Sequence, residues 1–327
     1  MTVPLSELLA SARVVSLPLS TRFRGIDTRE ALLLEGPAGW TEFSPFLEYP
    51  DEEAAAWLRA ALDFGWRDPF LPPNAPTRIR VNATLPAVDG DSVAGVLARF
   101  PGCRTVKVKV AEAGQELSDD VDRVSRARDY LGPDGRIRID ANGAWNLDEA
   151  EHAIHALAEF DLEYVEQPCA TVDELAQIRK RVKYMGIPIA ADESVRKAED
   201  PVAVARAKAA DILIIKAQPL GGIERALEII EEAGLPVVVS SAIDTSVGLS
   251  MGAYLAASVP GGLTYDCGLG TAALLAADVT DTPLLPEDGQ IEVRRIEVSD
   301  ELLTRYAASP DRTEWWRARL TRTHALL

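Results

Sequence analysis

RIRIDANGAWNLDEAEHAIHALAEFDLEYVEQP, residues 136–168, decides the fold. RIRIDAN (136–142) alternates charged and apolar residues, as a strand does when its side chains point to opposite faces with a period of two. LDEAEHAIHALAEF repeats apolar residues at three- and four-residue intervals, the period of an amphipathic helix. YVEQP (164–168) then returns to strand character. Each strand closes on an acid, Asp140 and Glu166, and a third, Asp192, closes IPIAAD; the two separations are equal at 26 residues, about one strand plus one helix.

The same rhythm extends in both directions. RVNATL (80–85) and TVKVKV (105–110) lie upstream; IPIAADES (187–194), DILIIKAQ (211–218), LPVVVSSA (235–242) and TYDCG (264–268) lie downstream. Helical runs such as DSVAGVLARF, LSDDVDRVSRARDYL and GIERALEIIEEAG separate them. Eight such units with right-handed crossovers predict an α/β chain whose residues 79–280 form a (β/α)8 TIM-type barrel. An open doubly wound sheet is the alternative, but the first βα turns lack a GxGxxG phosphate loop.

The ends break the rhythm. Residues 1–78 read as an α+β capping domain, with strands in ARVVSLPLS, TREALLLEG and WTEFSP and a helix in DEEAAAWLRAALDFGW behind Pro50-Asp51. QIEVRRIEV reads as a further strand and DRTEWWRARLTR as an amphipathic helix. They predict that 281–327 is a C-terminal segment returning to the cap, with Trp315 and Trp316 in its core.

With 327 residues, 47% hydrophobic and 26% charged, the chain has the composition of an ordinary globular protein. A net charge of −17 argues against nucleic acid as a partner, because a phosphate backbone calls for clustered Lys and Arg. Cys103, Cys169 and Cys267 are few, odd in number and widely spaced, which predicts neither a disulfide framework nor a zinc site. The N-terminal run MTVPLSELLASARVV lacks a basic n-region, and no apolar run is long enough for a bilayer. A cytoplasmic protein without membrane insertion is expected, with no obligate protein partner and with the monomer preferred. His152 and His155, at i, i+3 on an outer helix, read as surface residues.

Strand parity locates the chemistry. In TVKVKV the valines at 106, 108 and 110 belong under the helices, which turns Lys107 and Lys109 into the barrel. The same reading turns Arg138, Asp140 and Asn142 inward. Glu166, Asp192 and Lys216 close their strands at the carboxyl end, where barrel enzymes build active sites. Three gathered carboxylates repel one another unless a cation neutralises them. All-oxygen ligands without nearby His or Cys point to Mg²⁺, with Mn²⁺ as the alternative. An amine beside such a cation is suited to removing a proton alpha to a carboxylate, and the metal to holding the resulting enediolate. The bland alternative is a set of satisfied ion pairs in a polar core. It accounts poorly for three acids and two flanking lysines where barrels carry branched apolar residues.

KVK (107–109), DAN (140–142), EQP (166–168), ADES (191–194) and IIK (214–216) resemble the enolase superfamily, in the subgroup that includes muconate-lactonising enzymes. The resemblance covers nearly the whole chain. FRGI (23–26), residues 39–61 and GLGTAALLAADVT (268–280) are most similar to actinobacterial members that dehydrate 2-succinyl-6-hydroxy-2,4-cyclohexadiene-1-carboxylate on the menaquinone pathway. The resemblance implies that Asp140, Glu166 and Asp192 ligate Mg²⁺. It implies that Lys109 abstracts the alpha proton and then protonates the leaving hydroxide, a syn dehydration. Lys216 would stabilise the enediolate from the opposite face, and Lys107 would tune Lys109.

The rest of the substrate site is read as Arg24 (with Arg22) in a cationic lid loop, Arg138 and Asn142 on the inner face, and Ser240, Ser241, Gly268 and Gly270 at the ends of strands seven and eight. Rivals remain open. Dipeptide epimerases carry a DxD pair after strand eight, whereas here Asp266-Cys267-Gly268 lacks the second acid. Racemases with a strand-seven histidine are excluded by Ser240-Ser241. N-succinylamino acid racemisation uses the same two lysines, and a non-catalytic metal-binding barrel is the reading from another class. Thr41 departs from the glycine more usual in GWTEFSP, which bears on cap packing.

Overall fold

The computed structural model describes residues 3–69, 71–196 and 200–327. Strands Arg13–Phe23, Ile26–Gly36 and Gly39–Phe43 form an antiparallel sheet in chain order, backed by the helix Asp51–Trp66. The C-terminal helix Pro310–His324 packs on that same helix. Trp316 is fully buried, edge-on to Phe43, and its indole N–H donates to Glu30 at 2.8 Å. Trp315 is only half-buried. Thr41 is accommodated because its neighbour is Gly65: a Cβ on Gly65 would lie 2.7 Å from the Thr41 methyl.

The barrel sheet runs in chain order through Ala83–Leu85, Thr105–Lys109, Arg136–Asp140, Leu162–Glu166, Ile189–Ala191, Ile212–Ile215 and Val237–Val239, all parallel. Three of its helices start on reciprocal capping boxes, in which a side chain accepts from the third helical N–H and is answered by the acid there: Glu116 with Asp119, Asn146 with Glu149, and Thr171 with Glu174. Val106, Val108, Ile137 and Ile139 are buried in the main apolar core, while Tyr164, Ala190, Ile212, Ile214 and Val238 form a separate small cluster. Alternation along each strand assigns the first set to the layer under the helices and the second to the barrel lumen.

Two expectations need correction. Residues 264–268 are not an eighth ladder strand. They close the barrel through isolated parallel bridges, Val81 to Cys267 and Ser240 to Gly268, with Cys267 N–H donating to Arg80 at 2.9 Å and Gly268 N–H to Val239 at 2.8 Å. The run meets each neighbour at one residue only, Cys267 on one side and Gly268 on the other, and it is flanked by Gly261, Gly262 and Gly268, which weaken strand pairing. Of QIEVRRIEV, only Gln290–Glu292 is a strand, and it pairs antiparallel with Arg78–Arg80 rather than joining the cap sheet. That part of 281–327 therefore covers the amino-terminal end of the barrel, and the return to the cap is made by the helix Pro310–His324.

Candidate active site

Register sets the height of each inward side chain. Lys109 pairs with Asp140 and Asp140 with Glu166, so these three share one row of the sheet. Glu166 faces Ala190, which places Asp192 two residues further along. Ile212 faces Ala190 in turn, so Lys216 stands two residues beyond the position facing Asp192. Equal spacing in sequence thus does not mean one row. The climb averages about one residue per strand, which is the shear of an eight-stranded barrel, and it returns the five side chains to one height along the barrel axis. Three strands separate the Lys109 strand from the Lys216 strand. In a barrel of eight, that puts the two amines on opposite walls.

The acids lie beneath the amines. Asp140 and Glu166 are fully buried and Asp192 is 4% exposed. Lys107 Nζ donates to Asp140 at 2.8 Å and to Glu166 at 2.6 Å. Lys109 Nζ donates to Asp140 and, at 2.7 Å, to Asn142 Oδ1. Lys216 Nζ donates to Asp192. Among the described residues no three Asp, Glu, His or Cys side chains converge as a ready-made metal cage. Ammonium groups stand on the carboxylates instead.

The electrostatics follow from that packing. Burial alone would raise the Asp140 carboxyl, but Lys107 and Lys109 hold it well below the usual carboxylate range. Burial likewise opposes ionisation of Asp192, and Lys216 and Arg196 overcome it. Glu166 is pushed up to about 8 by burial and by the charge of Asp140, more than Lys107 offsets. Burial works against the Lys107 ammonium, yet Asp140 and Glu166 hold its pKa well above the usual lysine value. Lys216 is lowered by burial, with Asp192 acting in the opposite sense.

Above this floor a cavity opens between barrel and cap. Lys107, Lys109, Asn142, Asp192 and Lys216 line it from the barrel, together with Ser240, Ser241 and Gly268; Arg24 enters from the cap. Ser241 Oγ donates to the Gly268 carbonyl at 2.8 Å and meets Thr271 Oγ1 at 2.9 Å. Arg24 lies over the Phe46 ring at 4.1 Å and pairs with Glu48 at 3.5 Å, whereas Arg22 pairs with Asp27 in solvent.

Two predicted substrate residues are not in the lining. Arg138 is fully buried one layer lower, held by Glu163, by Asn82 Oδ1 at 3.1 Å and by the Asp266 carbonyl at 2.8 Å, with Tyr164 under its guanidinium. Parity gives the face of a strand but not the layer, and Arg138 is two residues short of the strand end. Gly270 lies outside the lining as well, and Thr271 takes its place. Asp266, the first acid of Asp266-Cys267-Gly268, also belongs to the lower layer, where it accepts from Thr105 at 2.6 Å and Arg136 at 2.9 Å.

Other residues of the site escaped the sequence reading. Arg196 lines the cavity, pairs with Glu193, lies 3.5 Å from Asp192 and donates to Tyr49 of the cap at 2.5 Å. Its signal was a lone arginine four residues after a candidate ligand. Thr84, Tyr49 and Trp57 also line the cavity. Gln167 holds the Asp192 loop: its Oε1 accepts from Asp192 N–H at 2.9 Å, and its Nε2 donates to Ser194 at 2.8 Å.

Known proteins resemble the chain along nearly its whole length. Residues 14–65 match the enolase N-terminal domain-like model and residues 93–297 the enolase C-terminal domain-like model. The chain is 52% identical over 318 residues to o-succinylbenzoate synthase of Thermobifida fusca, covering 96% of each chain. It is 49% identical over 324 residues to the Mycobacterium ulcerans protein of the same name, covering 99% of this chain and 96% of that one. Among solved structures, muconate lactonizing enzyme from Pseudomonas putida superposes with a TM-score of 0.73 at 18% identity, over 91% of this chain and 98% of the other. A 2-chloromuconate cycloisomerase from Rhodococcus opacus gives 0.76 at 21%, with the same coverage. At such identities these two superpositions establish the fold.

Proposed function

This chain belongs to the enolase superfamily, and on that premise we propose that it is an o-succinylbenzoate synthase, a lyase that dehydrates 2-succinyl-6-hydroxy-2,4-cyclohexadiene-1-carboxylate to o-succinylbenzoate. The observation that carries this reading is the pair of amines, Lys109 and Lys216, lining one cavity from opposite walls above a floor of buried carboxylates.

The donor set fits a hard divalent cation. Asp140, Glu166 and Asp192 offer only oxygen, and Glu166 is held up to about 8 by burial and then by the charge of Asp140, so the cluster favours added positive charge. These three would hold Mg²⁺, or Mn²⁺, and when bound it would supply positive charge to the acids and to a substrate carboxylate. The protein's own residues do the rest. Lys109 takes the ring proton alpha to the carboxylate, and the C–H electrons form the new ring double bond. The ring C–O bond breaks, and the same amine gives its proton to the departing hydroxide, so that one water leaves from one face. Lys216, as the ammonium, stabilises negative charge from the other wall. Lys107, on Asp140 and Glu166, and Asn142, on Lys109, position the base. Arg24, Ser240, Ser241 and Gly268 are positioned to take the succinyl arm. The product places the enzyme in menaquinone biosynthesis, and we place it in the cytoplasm.

Amines on opposite walls also suit proton removal on one face and return on the other, the chemistry of an N-succinylamino acid racemase. The deciding experiment follows ultraviolet absorbance of the aromatic product from the cyclohexadiene substrate, beside optical rotation of N-succinyl amino acids. Dehydration at the higher kcat/KM supports the proposal. Racemisation alone would replace it with the second reading, and neither activity would point to a non-catalytic barrel.

A further inference from the structure

Beside Lys216, sharing Trp57, Pro219, Ser240 and Ala242 with the lining of the main cavity, lies a small space with room for about one water molecule. Besides Lys216 and Ser240, its polar lining comprises Trp57 from the cap helix Asp51–Trp66, Gln218 just after the strand Ile212–Ile215, and Asp244 just after Val237–Val239. These last three are buried, at 2%, 4% and 4% exposure. Trp57 Nε1, Gln218 Nε2, Gln218 Oε1 and Asp244 Oδ1 have no protein hydrogen-bond partner. A buried polar atom left unpaired costs about 1–3 kcal/mol, so four on residues that share one space are a large penalty unless something there binds them.

The chemistry of these atoms selects the occupant. Two are N–H donors and two are acceptor oxygens, which is the complement of one water molecule donating twice and accepting twice. A metal cation would meet two N–H groups it cannot ligate, and an anion would meet the Asp244 carboxylate. The space is also kept open. Gly248 forms part of its wall, and a Cβ there would lie 2.7 Å from Asp244 Cβ and 2.8 Å from Gln218 Nε2.

We propose that Trp57, Gln218 and Asp244 bind a buried water that ties the cap helix to the barrel beside Lys216 and positions that lysine. Lys216 lines the same space. Among the described residues its amine makes one hydrogen bond, to Asp192; the water, whose two acceptor positions go to Trp57 and Gln218, bears on Lys216 by filling the space against which that side chain packs. Trp57 also lines the main cavity, so the water links the wall of the substrate site to the lysine across the interface. Gln218 and Asp244 are then positioning residues. The positioning half rests on the proposed role of Lys216; the water site does not.

A crystal structure of the unliganded chain, at a resolution that orders waters, tests the site directly. A density peak within hydrogen-bond distance of at least three of the four atoms is expected. No peak, or a peak coordinated as a metal ion, overturns the site whatever the enzyme's activity. Kinetics test the positioning. Gln218→Leu should lose the peak and lower kcat about tenfold with KM within about twofold. Asp244→Asn keeps an acceptor and should retain both peak and turnover. Trp57→Phe provides the second variant if Gln218→Leu does not fold, and should lower occupancy of the peak and kcat together. Loss of the water with unchanged kcat would overturn the positioning role.

Discussion

Lys109 and Lys216 line one cavity from strands on opposite sides of the barrel, and each amine donates to a different buried acid, Asp140 and Asp192. The pair is symmetric in chemistry but not in surroundings. Lys109 shares its acid with Lys107 and touches Asn142. Lys216 backs onto the small space lined by Gln218 and Asp244. Such asymmetry suits one amine that moves a proton and one that holds a charge.

Removing divalent cations should abolish dehydration. Chelation is expected to lower turnover at least about a hundredfold, and added Mg²⁺ to restore it. Because a ligand that binds only the folded state stabilises it, saturating Mg²⁺ should also raise the thermal midpoint by about 2–4 °C. Calorimetry with and without chelator reads the second effect independently of substrate. Turnover that survives chelation would count against the three-acid assignment.

How much of this was visible in the sequence depends on distance along the chain. Parity in TVKVKV and RIRID placed Lys107, Lys109 and Asp140 correctly, because a strand's alternation is local. Depth was not visible: Arg138 points inward like Asp140 but lies one layer down, and only register with neighbouring strands distinguishes them. Nor were the cap contacts. Tyr49 meets Arg196 across 147 residues, and Trp57 meets Gln218 and Asp244 at one small space, with no local pattern to announce either. Residues 264–268 carried the strand's place in the rhythm, but not the fact that it bridges each neighbour at a single residue.

Stability should depend on pH through Glu42. This buried carboxyl is pushed up to about 7, first by burial and then by Asp244, against an ordinary value of 4.5. The folded state therefore holds a proton that the unfolded state has lost, and stability falls as pH rises from about 4.5 to about 7. The contribution is up to about 3 kcal/mol. Denaturant unfolding at pH 5 and pH 8 should show the fall. In Glu42→Gln, whose amide can face Ser44 Oγ, that part of the pH dependence should disappear; an unchanged slope would contradict the assignment.

At Gly248 two effects oppose one another. Alanine would favour the helix Ser246–Ser258 by about 1 kcal/mol, but its Cβ would lie 2.8 Å from both Gln218 Nε2 and Glu42 Oε2. Overpacking in a dense interior costs about 1–3 kcal/mol, so the clash should prevail. Gly248→Ala is expected to lower the denaturation midpoint. A rise would mean that the neighbours yield.

Arg24 should act on binding rather than chemistry. It reaches the cavity from the cap, partly exposed, beside Glu48. Arg24→Ala is expected to raise KM about tenfold with little change in kcat, and the difference should shrink at high salt because exposed charges are screened. A loss confined to kcat would assign it a different role.

The most direct test of the central claim is turnover by Lys109→Ala, followed by ultraviolet absorbance of the aromatic product, in protein whose circular dichroism and thermal midpoint match the parent. Loss of a general base predicts a fall in kcat of about 10²–10⁴-fold. Turnover within a few-fold of the parent would show that Lys109 does not remove the proton.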